Sequence, residues 1–201
     1  MPADELSKFL RGLQRLNSTR TRMETLYGAR KVTENDMDSV YEALFLRAVT
    51  SFEAFLEAQF LSILLGRANY RPGRVAVRMT ATSRSALMDV LLQGDNYMTW
   101  LPFPRTEDRA RIFLKDGKPF TELTNADRQI LQLIVTTRHA IAHRSTHATR
   151  QFERRVIGSM SMLPRERKPA GFLRSPLSAG TGQNRFDLYL IELGRVATFL
   201  G

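Results

Sequence analysis

The three histidines of this 201-residue chain all lie in one short stretch, TTRHAIAHRSTH, which spans Thr136–His147. His139, His143 and His147 follow one another at intervals of four residues, and side chains at that spacing share one face of an α-helix. Three interpretations fit such a cluster: a metal site, an acid–base site, or a solvated helix face.

A metal site needs more ligands than this cluster offers. Zinc usually takes three or four protein ligands, whereas the chain has no cysteine and no other histidine. The flanking residues are Arg144 and Arg150 rather than carboxylates, and positive charges beside a dication are unfavourable. We therefore expect no bound metal, and no motif in the sequence points to another cofactor.

Arg138 and His143 form a pair suited to acid–base chemistry on a phosphodiester. Histidine can take or give a proton near neutral pH, while arginine stays charged and can neutralise a phosphorane. RNA carries its own nucleophile, the 2′-OH, so a base, an acid and a cation suffice for cleavage without a metal. Two copies of the pair facing each other across a two-fold axis supply two histidines and two arginines in one groove.

The helix that carries the histidines has two apolar strips. Ile130, Ile134 and Ile141 recur at helical spacing and predict the core face. Leu131, Val135 and Ala142 make a second strip beside it. Because a surface helix needs only one buried face, the second strip predicts an interface with another helix of the same chain or with a second subunit.

The charge of the chain predicts a polyanionic partner. Thirty Lys and Arg stand against twenty Asp and Glu, which gives a net charge of +10. Neutralising phosphates releases counterions, so this surplus favours nucleic acid or an anionic membrane surface. The alternative is an arginine-rich composition without a functional role.

The sequence predicts a cytoplasmic protein with no membrane segment. The beginning of the chain, MPADELSKFL, has early acidic residues and lacks the apolar core of a signal peptide. The most apolar region is interrupted by Arg47, Glu53 and Glu57, which makes it too polar to span a bilayer. The lack of cysteine also excludes disulfides and thiolate nucleophiles.

Apolar residues recur at three- and four-residue spacings nearly everywhere, which predicts a single all-α domain over residues 1–201. Thr33–Asp36 has the pattern of a capping box, with Asp in place of the usual Glu or Gln, and Thr124–Asp127 predicts the cap of another long helix. A segment rich in Gly, Pro and Ser before the last helix predicts a long loop or arm. The predicted elements are an N-terminal helix (1–28), a long central helix (33–66), the histidine helix (124–147), the loop or arm (158–184) and a C-terminal helix (185–200).

The histidine segment resembles a known family motif. RHAIAHR (Arg138–Arg144) is similar to the R-x(4–6)-H motif of the HEPN superfamily, whose ribonuclease members show Arg, a polar residue, three more residues and then His. The upstream RAVTSFEAFLEAQFLSIL (Arg47–Leu64) looks like the long second helix of bacterial HEPN domains of the RiboL-PSP kind. The similarity covers residues 35–200, and the seven-residue motif is its specific part.

The resemblance implies an HEPN-like helical bundle that dimerises through the motif helices and cleaves RNA without a metal. It implies that His143 acts as general base or acid, that Arg138 stabilises the scissile phosphate, and that His139 orients or assists. Such domains serve in toxin–antitoxin and antiviral defence systems, which implies an antitoxin or defence-system partner protein. Toxins paired with a nucleotidyltransferase antitoxin carry Tyr two residues after the motif His, and this chain has Ser145 there, so we do not expect that particular partner.

Further basic residues are candidates for RNA binding. Arg144 and His147 lie beside the motif, and Arg74 and Arg78 lie in the arginine-rich, partly extended segment 69–83. Glu53 and Glu57 on the central helix are candidate partners that orient Arg138. Two alternative functions remain: a catalytically inactive HEPN-like module that binds nucleic acid or assembles with other proteins, and a protein adaptor that docks through the second apolar strip.

Overall fold

The chain folds into helices throughout the part that the structure describes. The structure is a computed structural model that describes residues 5–67, 75–79, 83–92, 96–143, 145–178 and 182–201. Within these ranges there is no β-strand, so the predicted all-α class is confirmed. The α-helices are α1 (Glu5–Gly28), α2 (Glu34–Leu64), α3 (Arg84–Leu92), α4 (Pro104–Phe113), α5 (Asn125–Ala142), α6 (Thr146–Phe152), α7 (Pro169–Arg174) and α8 (Arg185–Leu200).

The long helix α2 forms the centre of the fold. It starts at the predicted capping box: Thr33 Oγ1 accepts a hydrogen bond from the backbone N–H of Asp36, whose carboxylate accepts one from the backbone N–H of Thr33. Its aromatic residues Tyr41, Phe45 and Phe52 are fully buried. A helix that is apolar on more than one side can be packed on several sides at once, and α2 contacts α1, α5, α7 and α8.

Aromatic contacts fix the neighbouring helices onto α2. The Phe9 ring of α1 stacks on the Phe55 ring with 5.4 Å between the ring centroids. On α8, Phe186 meets Tyr41 edge-on at 5.4 Å. Ring pairs of this kind stabilise a fold beyond the area that they bury. The packed helices form one hydrophobic core that includes both chain-terminal helices.

The prediction of a loop or arm over residues 158–184 is wrong for residues 164–174, which are helical. Residues Pro164–Arg167 form a 3₁₀ turn, and α7 follows with Phe172 and Leu173 buried in the core. Two adjacent apolar side chains are enough to dock one turn of helix, even among the Pro and Gly residues that suggested a loop. Residues 179–181 lie outside the described ranges.

The packing of α7 depends on a close backbone approach at Gly171. A Cβ atom built on Gly171 lies 2.1 Å from the carbonyl oxygen of Arg165, a distance that no side chain tolerates. Glycine therefore allows the 3₁₀ turn and α7 to lie against each other.

The arginine-rich segment before α3 is only partly described. Val77 forms an isolated antiparallel bridge with Leu114, in keeping with the predicted short extended piece. None of the helices in the described ranges is both long and apolar enough to cross a membrane.

Candidate active site

Helix α5 carries the arginine and the first histidine of the motif. The predicted cap is present at its start and takes the form of a capping box: Thr124 Oγ1 accepts from the Asp127 backbone N–H at 3.2 Å, and the Asp127 carboxylate accepts from the Thr124 backbone N–H at 2.8 Å. Arg195 of α8 also pairs with Asp127, which fixes the start of α5 against the C-terminal helix. The cap and this ion pair together set the position of α5.

Helix α5 ends earlier than predicted, and the three histidines do not lie on one helix. The helix stops at Ala142, and His143 follows it as the C-cap, with backbone angles (φ −124°, ψ 95°) of an extended residue. Ser145 then starts α6 by accepting a hydrogen bond from the backbone N–H of Ala148 at 3.2 Å. Serine is a preferred N-cap because its hydroxyl satisfies a free N–H, so the chain turns here and the predicted helix over 124–147 is divided in two.

The turn nevertheless brings all three histidines to one cleft. His139 from the last turn of α5, His143 from its C-cap and His147 from the first turn of α6 line a cleft of about 540 Å³. The rings of His139 and His143 stand nearly perpendicular, with 5.8 Å between their centroids. Two imidazoles at this distance can reach the two sides of one small substrate group, which is the geometry that acid–base catalysis needs.

The rest of the cleft combines polar and apolar side chains and carries no carboxylate among its described residues. Its walls come from α5, from α6 and from the π-helix Glu153–Ile157 that continues α6. Besides the histidines, the described residues that line it are Pro102, Gln132, Val135, Thr136, Ser145, Ala148, Gln151 and Arg155. A cleft with a cation, imidazoles and amides but no acid favours an anionic ligand.

Arg138 is not among the described residues that line the histidine cleft. It is half-buried. Its charge acts on Glu53 of α2: burial raises the pKa of the Glu53 carboxyl above its ordinary value, and the Arg138 guanidinium opposes part of that shift. Glu53 is therefore the electrostatic neighbour of Arg138 that the sequence suggested.

The other predicted glutamate is engaged elsewhere. Glu57 accepts a hydrogen bond from Trp100 Nε1 at 3.2 Å and lies 3.4 Å from a guanidinium nitrogen of Arg84. Its carboxylate thus ties α2 to Trp100 and to α3.

The surroundings of His139 favour the neutral form of its imidazole. Burial lowers its pKa below the ordinary value of 6.5, and the positive charges of Arg138 and His143 lower it further. A neutral imidazole can accept a proton, so His139 is suited to the role of a general base near neutral pH.

The remaining predicted RNA-binding residues divide into three groups. His147 is exposed and lines the histidine cleft. Arg78 is exposed as well, but its backbone N–H donates to Phe113 at the end of α4, and the side chain does not line the cleft. Arg74 and Arg144 lie outside the described residues.

The second apolar strip of α5 is covered within the chain. Leu131 and Val135 are 1% and 4% exposed, and of the three strip residues only Ala142 is on the surface. Of the two interfaces that the sequence left open for this strip, the structure shows the one with helices of the same chain.

Sequence reasoning missed Arg155, Gln132 and Gln151 as residues of the cleft. On one straight helix Arg155 is about 18 Å along the axis from His143, at about 1.5 Å per residue, which is too far to share a site. The signal that could have found it is Ser145, since an N-cap residue indicates that a new helix begins in a new direction.

A second cavity, of about 630 Å³, lies between α1, the start of α2 and α7. Its walls carry equal numbers of cations and acids, and several of these are already paired, such as Arg165 with Glu34 at 3.1 Å. Because its charges neutralise one another, it is a weaker candidate for an anionic ligand than the histidine cleft. The charged residues are Arg20, Arg165, Lys168 and Arg174 with Glu24, Glu34, Asp38 and Glu166.

In the part of the chain that the structure describes, no group of three or more His, Asp or Glu residues is arranged to hold a metal ion. Comparison of the chain with protein-family models, with curated proteins and with solved structures found no match. The assignment to the HEPN superfamily thus remains a prediction from the motif.

Proposed function

We propose that the protein is a metal-independent endoribonuclease of the HEPN type that cleaves RNA by attack of the 2′-OH. The observation that carries the proposal is the pair of imidazoles, His139 and His143, whose ring centroids are 5.8 Å apart in a cleft that has no carboxylate among its described lining residues. The motif, Arg138 with two histidines, and the net charge of +10 support the same function.

The two histidines divide the proton transfers between them. His139, whose pKa burial lowers, takes the proton from the 2′-OH, and the 2′-oxygen forms a bond to phosphorus. His143 gives a proton to the 5′-oxygen as the bond from phosphorus to that oxygen breaks. The products are a 2′,3′-cyclic phosphate and a 5′-hydroxyl. The step leaves His139 protonated and His143 neutral, and proton exchange with water restores the starting state of both.

Arg138 supplies the positive charge that the phosphorane needs. Because it does not line the cleft of its own chain, its contact with the phosphate comes from the second copy in a homodimer. The exposure of Ala142 and His143 at the end of α5 leaves that surface accessible to a second copy. A protein of this kind acts as a toxin or antiviral effector in the cytoplasm and is held in check by an antitoxin or defence-system partner.

The proposal is tested by RNA cleavage in the presence of EDTA. Wild-type protein should yield 2′,3′-cyclic phosphate ends, and His143→Ala and His139→Ala should each lower the rate about 10²–10⁴-fold, the usual contribution of a general acid or base. His147→Ala is the comparison, since it removes an imidazole that is a candidate for RNA binding and has no proposed proton transfer; it should leave kcat near the wild-type value and act on KM alone. Equal cleavage by wild type and His143→Ala, or no cleavage at all, overturns the proposal.

The dimer is tested by mixing two inactive variants. Arg138→Ala and His143→Ala are each inactive alone, whereas their heterodimer contains one intact composite site, so the mixture should recover a fraction of the activity. Sedimentation should show a dimer for each variant. A monomer by sedimentation overturns the shared site.

The position of Arg138 outside the cleft favours one second candidate, a nucleic-acid-binding module without catalysis. In that case Arg138→Ala and His143→Ala bind RNA as tightly as wild type, with the same salt dependence, and no variant cleaves.

A further inference from the structure

We propose that Arg155 binds a phosphate of single-stranded RNA next to the scissile bond, and that Gln132 and Gln151 hold the unpaired base of the same nucleotide. This inference rests on the proposed function, because it assigns the substrate-binding side of the same cleft. The three residues come from α5, α6 and the π-helix, and all of them line the cleft that contains the histidines.

The π-helix directs Arg155 into the cleft. Val156 and Ile157 of the same turn are buried in the protein interior, whereas Arg155 is exposed to solvent and lines the cleft. Gly158 ends the turn with φ +53°, a conformation that favours glycine, and its N–H donates to the carbonyl of Glu153 at 2.8 Å. Single π-turns within α-helices are frequently found at functional sites.

Arg155 is available for a ligand. Its side chain forms no hydrogen bond or ion pair with any other residue in the described ranges. Binding a phosphate on Arg155 therefore breaks no existing pair, and the planar guanidinium can contact two phosphate oxygens at once. Several other arginines are already paired with carboxylates: Arg20 with Asp187, Arg128 with Glu107, Arg174 with Glu24, and Arg195 with Asp127.

The two glutamines present complementary groups to a base edge. The side-chain nitrogen Nε2 of Gln132 donates to Thr136 Oγ1 at 3.4 Å, which leaves the side-chain oxygen Oε1 of Gln132 as an acceptor for a ligand. The side-chain oxygen Oε1 of Gln151 accepts from the Arg154 guanidinium at 3.0 Å, which leaves the side-chain nitrogen Nε2 of Gln151 as a donor for a ligand. A donor and an acceptor together can recognise a base edge that has both, and such edges are accessible in unpaired RNA.

The cleft has a volume that can hold a small portion of an RNA chain. Its volume of about 540 Å³ lies within the ~300–1,000 Å³ of ligand pockets. Sequence-specific RNA recognition acts mainly on unpaired bases, because the deep groove of duplex RNA admits no side chains. We therefore expect single-stranded RNA to bind and duplex RNA of the same sequence to bind more weakly.

The binding test uses a fluorescein-labelled, single-stranded RNA that is 2′-O-methylated throughout, so that it cannot be cleaved. Fluorescence anisotropy over a series of salt concentrations should show that Arg155→Ala weakens binding about 10-fold and reduces the slope of log K against log salt by about 0.7, the value for one phosphate contact of a single strand. Arg155→Lys should keep the slope and lose part of the affinity. The control is Arg150→Ala, an exposed arginine of α6 that removes the same charge without lining the cleft, and it should change neither.

The base contact is tested with 2′-O-methylated homo-oligonucleotides of each base. Gln132→Ala and Gln151→Ala should each reduce the affinity difference between the preferred and the other bases about 5-fold, without a change in the salt slope. If the base preference is unchanged in both variants, the base-binding role is wrong.

Failure of this inference and failure of the proposed function give different results. If Arg155→Ala weakens binding but wild-type protein cleaves no RNA, the catalytic proposal is overturned and the Arg155 contact stands. If wild-type protein cleaves and Arg155→Ala leaves KM, kcat and the salt slope at wild-type values, the Arg155 contact is overturned alone. An equal effect of Arg155→Ala and Arg150→Ala also overturns it, because the effect is then one of net charge.

Discussion

Replacing Tyr41 by Phe tests the polar contact that joins α1, α2 and α8. The Tyr41 side chain is completely buried, and its hydroxyl donates to Glu24 at 2.7 Å and accepts from the Asn184 amide at 2.9 Å. The amide of Asn184 is also the cap of α8, because its oxygen accepts from the backbone N–H of Asp187 at 2.9 Å. The hydroxyl of Tyr41 therefore orients a helix cap in addition to making its own two bonds.

The expected loss of stability follows from these bonds. A hydrogen bond to a charged group contributes about 1.5–3 kcal/mol, and leaving a buried donor such as the Asn184 amide without a partner costs about 1–3 kcal/mol. Glu24 keeps a second contact to Arg174 at 3.5 Å, which limits the total. We therefore expect Tyr41→Phe to lower the free energy of unfolding by about 3 kcal/mol, which for a chain of this size lowers Tm by about 6–12 °C.

Thermal and urea denaturation followed by circular dichroism measure this effect. The matched control is Tyr97→Phe, which removes the same hydroxyl from a side chain that is 74% exposed, and it should stay within about 0.5 kcal/mol of wild type. If Tyr41→Phe differs from Tyr97→Phe by less than about 0.5 kcal/mol, the reasoning about the buried hydroxyl is refuted.

Three other predictions follow from single features of the fold. Thr124→Ala should lower the free energy of unfolding by about 1 kcal/mol in urea titrations, because α5 loses its cap, whereas Thr124→Ser should keep it; equal losses would contradict the cap. Gly171→Ala should lower the free energy of unfolding by about 1–3 kcal/mol through the clash with the Arg165 carbonyl. Gly12→Ala, whose Cβ meets nothing within 4 Å, should raise the free energy of unfolding by about 0.5–1 kcal/mol. A Gly171→Ala protein that is more stable than Gly12→Ala would contradict the packing described for α7. Because the pKa of His139 is lowered in the folded state, the unfolded chain binds this proton more readily, and stability should fall as the pH drops through 6.5 and below. His139→Gln should remove that part of the pH dependence of Tm, and an unchanged dependence would show that His139 does not cause it.

Local sequence signals predicted the fold class and the starts of two helices. Thr33–Asp36 forms the capping box that its spacing indicated, and the cap predicted at Thr124–Asp127 is a capping box as well. The same type of box, Asn184 with Asp187, opens α8 and could have been recognised in the same way. These signals succeed because a cap and the residue that it bonds are three positions apart, so their geometry depends little on the rest of the chain.

The division of the histidine helix was predictable only in part. Ser145 is a good N-cap, but a serine within a helical pattern also occurs in helix interiors, and the pattern around it continues without a Pro or Gly. The helix α7 was missed for the opposite reason: Pro169 and Gly171 suggested a loop, while burial of Phe172 against Phe152, with 5.5 Å between the ring centroids, stabilises a helix there.

The sequence by itself determined that the chain is helical, where α2 and α5 begin, and that Arg138 and the histidines are its candidates for chemistry. Only the tertiary structure decided that His139, His143 and His147 share a cleft across a turn, that Arg155 joins them there, and that Arg138 does not line this cleft while its charge acts on Glu53. The physical reason is the distance along the chain over which the deciding interactions act. Helix formation and capping depend on contacts within about four residues. The direction of the chain after Ser145, by contrast, is set by which side chains of α6, the π-helix and α7 the common core can bury.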